Sequence, residues 1–256
     1  MRASRKRRFC SMWDLEKLGD EIMVIGIFYS EPGAGKTKGA LSFEEPIKCF
    51  DMENRCQQKI DKYFPEKLIE NLNLKKYDKD YNEDKIGSFV AFVKEVSNLI
   101  ALKPDDFPRT VIIDGIGDLR DYAHEKWCKD KSRKQAMNPG DWEQINDMVR
   151  DCLFPLINWA RVNNITLIMT SQMKDSYTVI ERDGKKESSR EGRVPSHKEW
   201  IGYNVDFLVE LYQPTKNGKI VPGCYMATCL KSEAGSWAED ITGKNLYDVF
   251  IEHGMM

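Results

Sequence analysis

Ser30-Glu31-Pro32-Gly33-Ala34-Gly35-Lys36-Thr37 has the spacing of G-x-x-x-x-G-K-[ST], with serine in the opening position. Residues of these types at this spacing form a loop for nucleotide phosphates. Gly33 and Gly35 can take positive φ, which lets successive N–H groups point at one anion. The Lys36 ammonium can reach β- and γ-phosphates, and the Thr37 hydroxyl can ligate Mg²⁺. The opening position closes a turn out of a strand, which a small residue such as Ser30 can do. The binding set is expected to comprise Ser30, Glu31, Pro32, Gly33, Ala34, Gly35, Lys36, Thr37 and the next position, Lys38.

Acids and an amide could complete the chemistry. Asp114 closes the apolar run "TVIID" and is expected to hold Mg²⁺ beside Thr37. Hydrolysis needs a group that orients or deprotonates water. Glu53, in "CFDMEN", is the expected base, with Asp51 as its rival. Gln172 ends "IMTSQ", where an amide can sense the γ-phosphate and inform the following loop.

These residues need strands to deliver them to one edge. "IMVIGIFY" (22–29) is apolar on both faces, as in a strand buried within a parallel sheet, and "KTKGALSF" follows as a short helix. Further strands are expected at 46–53, 109–119 and 164–172, with a helix over 86–103. The segment 127–140 reads as a loop, and Asp141 as the N-cap, with Gln144 three residues on, of a helix reaching about Asn163 and bent by Pro155. Residues 205–212 and 224–231 read as strands paired across a hairpin connection. Strands alternating with helices predict an α/β fold, a mainly parallel sheet with helices on both faces. The organisation expected is a basic lead-in (1–20), a core (21–231) and a C-terminal appendage packed on it (232–256).

The 256-residue chain carries a net charge of -2, so it is not coated in positive charge, and any nucleic acid must meet local basic loops. Seven cysteines with no C-x-x-C pair, and three scattered histidines, argue against zinc and for a reduced, cytoplasmic setting. The basic N-terminus lacks the apolar core of a signal peptide, and the apolar run 22–29 is too short to span a bilayer.

In order, "SEPGAGKT", "FDMEN", "VIIDGIGDL" and "LIMTSQ" resemble the core of RecA-like P-loop ATPases, over roughly residues 22–231. The nearest likeness is to phage-type nucleotide-binding proteins, including the single-strand-annealing ATPases. The resemblance implies an ATP- and Mg²⁺-dependent ATPase, with Glu53 catalytic, Asp114 on the metal and Gln172 coupled to a DNA-binding loop. It also implies a homo-oligomer with ATP between subunits, completed by a neighbour's cation, for which Lys231 in "CYMATCLK" is the candidate. Two departures stand out: Ser30 replaces glycine, and Gly115 stands where the family often has serine.

Two stretches could touch single-stranded DNA. The first, 126–134, gathers Lys126, Lys129, Lys131, Arg133 and Lys134 beside Trp127; the second, 173–200, interleaves basic residues with Tyr177 and Trp200. The leading expectation is an ATPase that binds single-stranded DNA in recombination or replication. The alternatives are a nucleotide-dependent switch acting on a protein partner, and a duplex-DNA motor.

Overall fold

The computed structural model describes residues 23–182, 185–196, 199–232 and 235–256. The basic lead-in and part of the second basic stretch therefore lie outside the described residues.

The phosphate-loop strand, β1 (Ile25–Ser30), is buried along its whole length, and α1 (Lys36–Ala40) follows the loop. Next come β2 (Ile47–Asp51), α2 (Cys56–Tyr63), β3 (Ile69–Asn73) and α3 (Lys85–Ile100). Then follow β4 (Thr110–Asp114), α4 (Ile116–Asp130), α5 (Pro139–Val162), β5 (Thr166–Arg182), β6 (Lys185–Pro195) and α6 (Glu199–Tyr203). The chain closes with β7 (Phe207–Tyr212), β8 (Thr215–Lys216), β9 (Lys219–Ile220), β10 (Met226–Lys231), β11 (Trp237–Asp240) and α7 (Leu246–Glu252). The main sheet runs β11-β10-β7-β1-β5-β4-β2-β3, parallel from β7 to β3, with β10 and β11 antiparallel at one end.

Apolar runs without polar alternation suit strands covered on both faces. Ile25 and Ile27 join Val111, Ile113, Leu167 and Met169 in a core roofed by α3, α4 and α5. Phe28, Ile112 and Ile168, one register step away, face α1, α2 and α7 in the other core. The two-residue period of the strand thus feeds two apolar layers from one continuous run. The sequence-based expectation of a mainly parallel α/β sheet covered on both faces holds.

Several boundaries differ from expectation. Asn138, not Asp141, caps α5: its side chain accepts from Asp141 N at 3.0 Å, and Pro139 takes the first turn. Proline has no N–H to leave unsatisfied there, so the start moves upstream. Residues 127–130, expected as loop, continue α4, because Trp127 and Cys128 are buried in the core. The polar stretch after Gln172 forms a long hairpin, with β5 paired to β6 from Met173↔Pro195 to Arg182↔Lys185. β7 and β10 pair antiparallel as expected, with the small β8–β9 hairpin in their connection.

The C-terminal segment joins the core. Phe250 on α7 meets Phe28, Phe43 and Phe207 edge-on at ring distances of 5.7, 5.5 and 4.6 Å. Such edge contacts add about 0.5–1.5 kcal/mol each beyond burial.

Candidate nucleotide-binding site

β1 ends at Ser30, where the chain turns through the loop into α1. Gly33 and Gly35 hold φ of +86° and +96°, so L side chains would be strained there. The first intrahelical bond is Gly39 N to Gly35 O at 2.8 Å, which leaves the N–H groups of Lys36 and Thr37 ahead of the hydrogen-bonded turns. Lys36 lies buried over its own loop. Its Nζ donates to Ser30 Oγ at 2.9 Å, Ser30 O at 3.2 Å and Glu31 O at 3.3 Å. Burial pulls this ammonium below the ordinary lysine range, while Glu53 and Asp114 oppose the shift. A cation held only by neutral oxygens in a buried place gains strongly from an anionic ligand. Ser30, the departure from the motif, is the last residue of a strand and needs no glycine geometry; its hydroxyl adds a holder for Lys36.

Register brings the acids to the same edge. Asp51 pairs with Asp114, Asp114 with Thr170, and Ser30 with Gln172. Thr37 Oγ1 donates to Asp114 Oδ1 at 2.9 Å, and Thr170 Oγ1 donates to the same oxygen at 2.7 Å. Burial raises the Asp114 carboxyl above its usual range, against the Thr170 hydrogen bond. Asp51 is occupied locally: its carboxylate accepts from the backbone N–H groups of Glu53, Arg55 and Cys56 at 3.1, 3.2 and 2.8 Å. Glu53, lifted by that turn, receives Gln172 Nε2 on Oε1 at 2.9 Å.

A cavity of about 500 Å³ opens over this edge. Pro32–Gly39, Glu53 and Gln172 line it, while Asp51 does not. Its size and mixture of apolar walls with a few convergent polar groups suit a nucleotide. Mg²⁺ also fits: the Thr37 hydroxyl and Asp114 carboxylate offer hard oxygens in contact with each other, the ligand type this ion takes.

Residues 23–229 match the family model described as an AAA domain. The chain belongs to the AAA domain family. A search of curated proteins gives no match. Membership makes this a P-loop NTPase-like ATPase, with which the loop geometry agrees.

Other groups complete the AAA domain site without a sequence signal of their own. Thr170 Oγ1 accepts Gly115 N at 2.9 Å while holding Asp114, so one hydroxyl fixes both ends of the Asp114-Gly115 turn. Gly115 has φ of +102°, and a Cβ there would stand 3.0 Å from Glu53 Cγ. Both facts disfavour a side chain here, in keeping with glycine at this position. Asp118, in the first turn of α4, is pushed up to about 6 by burial and then by Glu53. Ile241 and Gly243–Leu246, in the segment expected to be an appendage, line the far wall of the cavity. Only the folded chain brings them there.

Two of the groups singled out in the sequence are engaged within the chain. Lys231 Nζ, away from the cavity lining, donates to the carbonyls of Gly202 at 2.9 Å and Val205 at 2.5 Å, holding the end of α6. Trp127 cannot stack on a base: it is 3% exposed, and its Nε1 donates to Gln144 at 3.2 Å. Around it Arg133 pairs with Asp141 at 3.0 Å and Lys126 with Asp130. Lys129, Lys131 and Lys134 stay exposed. No helix among the described residues is long and apolar enough to cross a membrane.

Proposed function

We propose that this AAA domain hydrolyses ATP with Mg²⁺ and couples nucleotide state to single-stranded DNA in recombination or replication, as the likeness to phage single-strand-annealing ATPases implies. The reading places it in the cytoplasm, the host's for a viral chain. The observation that carries it is the Glu53–Gln172 hydrogen bond of 2.9 Å in the cavity lining, with the β5–β6 hairpin starting at the next residue. Bound Mg²⁺ would neutralise phosphate charge, held by Thr37 and Asp114. Lys36 binds and orients the phosphates. Glu53, freed from Gln172, takes a proton from water, and the released amide reports the γ-phosphate to the hairpin.

Assembly with ATP between subunits belongs to the same reading. Lys231 would have to leave the carbonyls of Gly202 and Val205 to reach a neighbour. DNA would meet the hairpin together with Lys129, Lys131 and Lys134.

One observation favours a second reading, a nucleotide switch for a protein partner: Trp127 is buried and Arg133 is engaged, so the first basic stretch offers DNA no aromatic platform. The test is ATP turnover by the purified chain over a titration of single-stranded DNA, for wild type and Lys131→Glu/Lys134→Glu. Stimulation that weakens in the variant supports DNA coupling. Turnover indifferent to DNA, together with nucleotide-dependent retention of a protein, supports the switch.

A further inference from the structure

The hairpin root is fastened to the acid edge at a second point. Gln172 is the residue at which β5 leaves the sheet: it still pairs with Ser30, and Met173 already pairs with Pro195. Across from it, Ser196 N donates to Gln172 O at 2.7 Å, and Ser196 Oγ lies 3.0 Å from Ser171 Oγ. The same hydroxyl lies against Gly117, in the first turn of α4, three residues after Asp114. A Cβ at Gly117 would come within 2.3 Å of Ser196 Oγ. The returning strand therefore seats on the helix that the Asp114 turn launches, and glycine makes that seat possible.

The seat borders a small polar pocket. Among the described residues, Arg120 Nε, Asn146 Oδ1 and Trp200 Nε1 are buried without a hydrogen-bond partner. All three side chains line one cavity of about 10 Å³ with Gly117 and Ser196.

Resting on the ATPase reading above, we propose that Gly117, Ser171 and Ser196 form a latch that couples the Glu53–Gln172 pair to the β5–β6 hairpin. Binding of triphosphate draws Gln172 from Glu53, the Gln172 carbonyl moves with its side chain, and Ser196 carries the hairpin to a new seat on α4. These are positioning residues, since none of them lines the nucleotide cavity.

Hydrogen exchange of peptides covering 173–195, with and without a non-hydrolysable ATP analogue and Mg²⁺, tests the latch independently of DNA. In the wild type the analogue is expected to change hairpin exchange. Gly117→Ala should alter exchange without nucleotide and shrink the nucleotide-dependent change about threefold or more, with the Kd for the analogue near the wild-type value. Ser196→Ala, which removes atoms and adds none, should shrink it as well, and Ser196→Thr, which keeps the hydroxyl, should retain more of it. Analogue binding with no change in wild-type hairpin exchange, or an undiminished change in both Gly117→Ala and Ser196→Ala, overturns the latch alone. Failure of the wild type to bind the analogue overturns the ATPase reading and the latch with it.

Discussion

The phosphate edge and the stretch 126–134 both concentrate charge, yet they treat it in opposite ways. At the edge, Lys36 and Asp114 are buried at 8% and 1% exposure. They rest on neutral partners: carbonyls and a hydroxyl for the lysine, threonine hydroxyls for the aspartate. In 126–134, Arg133 meets Asp141 and Lys126 meets Asp130 within the chain. A buried charge hydrogen-bonded only to neutral groups carries a desolvation cost that a ligand can relieve; a half-exposed pair carries little. The first arrangement is poised for a ligand, and the second is mostly satisfied by the fold.

Breaking each region should therefore hurt different properties. The largest effect is expected for Glu53→Gln, which keeps the shape of the edge and removes the proposed proton acceptor. ATP turnover should fall by about 10²–10⁴-fold with ATP affinity little changed. Steady-state kinetics beside equilibrium binding checks both halves. Trp127→Ala should act on the fold: it empties a core position roofed by Arg133, at a cost of about 3–5 kcal/mol in chemical denaturation. A variant with wild-type stability and altered DNA response would return Trp127 to the surface role that its burial denies.

Gly115→Ala sits between the two regions in kind. Its φ of +102° and the 3.0 Å approach to Glu53 Cγ should cost about 1–3 kcal/mol and disturb Glu53 as well. Denaturation midpoints and turnover should fall together.

The smallest effect concerns pH. Asp118 is pushed up to about 6 in the fold, above the ordinary unfolded carboxylate value. The folded state therefore binds its proton more tightly, and that contribution, full at acid pH, is lost as pH rises through about 6. Asp118→Asn should gain stability relative to wild type across that window and hold the gain above it. A stability difference that is flat with pH would show that Asp118 titrates normally.

How much of this was legible follows from the range of the forces involved. The phosphate loop could be read because its geometry is local: two glycines at positive φ and a lysine within seven residues. The strand end bearing Asp114 was legible because a buried parallel strand is apolar throughout and stops at a polar residue, whereas β5 runs on past Gln172 to Arg182. Thr170, which fixes the Asp114 turn, was not, since a threonine at a strand end has many ordinary uses. Trp127 misled for a related reason. An aromatic among lysines looks the same in sequence whether it faces a base or the core, and only packing of α4 against α5 decides. The cavity wall at Gly243–Leu246 was likewise out of reach, because Phe250 must first dock among Phe28, Phe43 and Phe207. Asp51 and Glu53 were left as rivals, and the hydrogen bonds to three backbone N–H groups assign the first to the turn.

The geometry at Lys36 predicts that its buried ammonium holds a phosphate. Titration calorimetry of ATP with Mg²⁺ into wild type and Lys36→Ala tests it most directly. One ATP bound per chain is expected, with a Kd at least about tenfold weaker in the variant, as follows from loss of a charge-assisted hydrogen bond. Equal affinity in the two proteins, or no binding to the wild type, would contradict it.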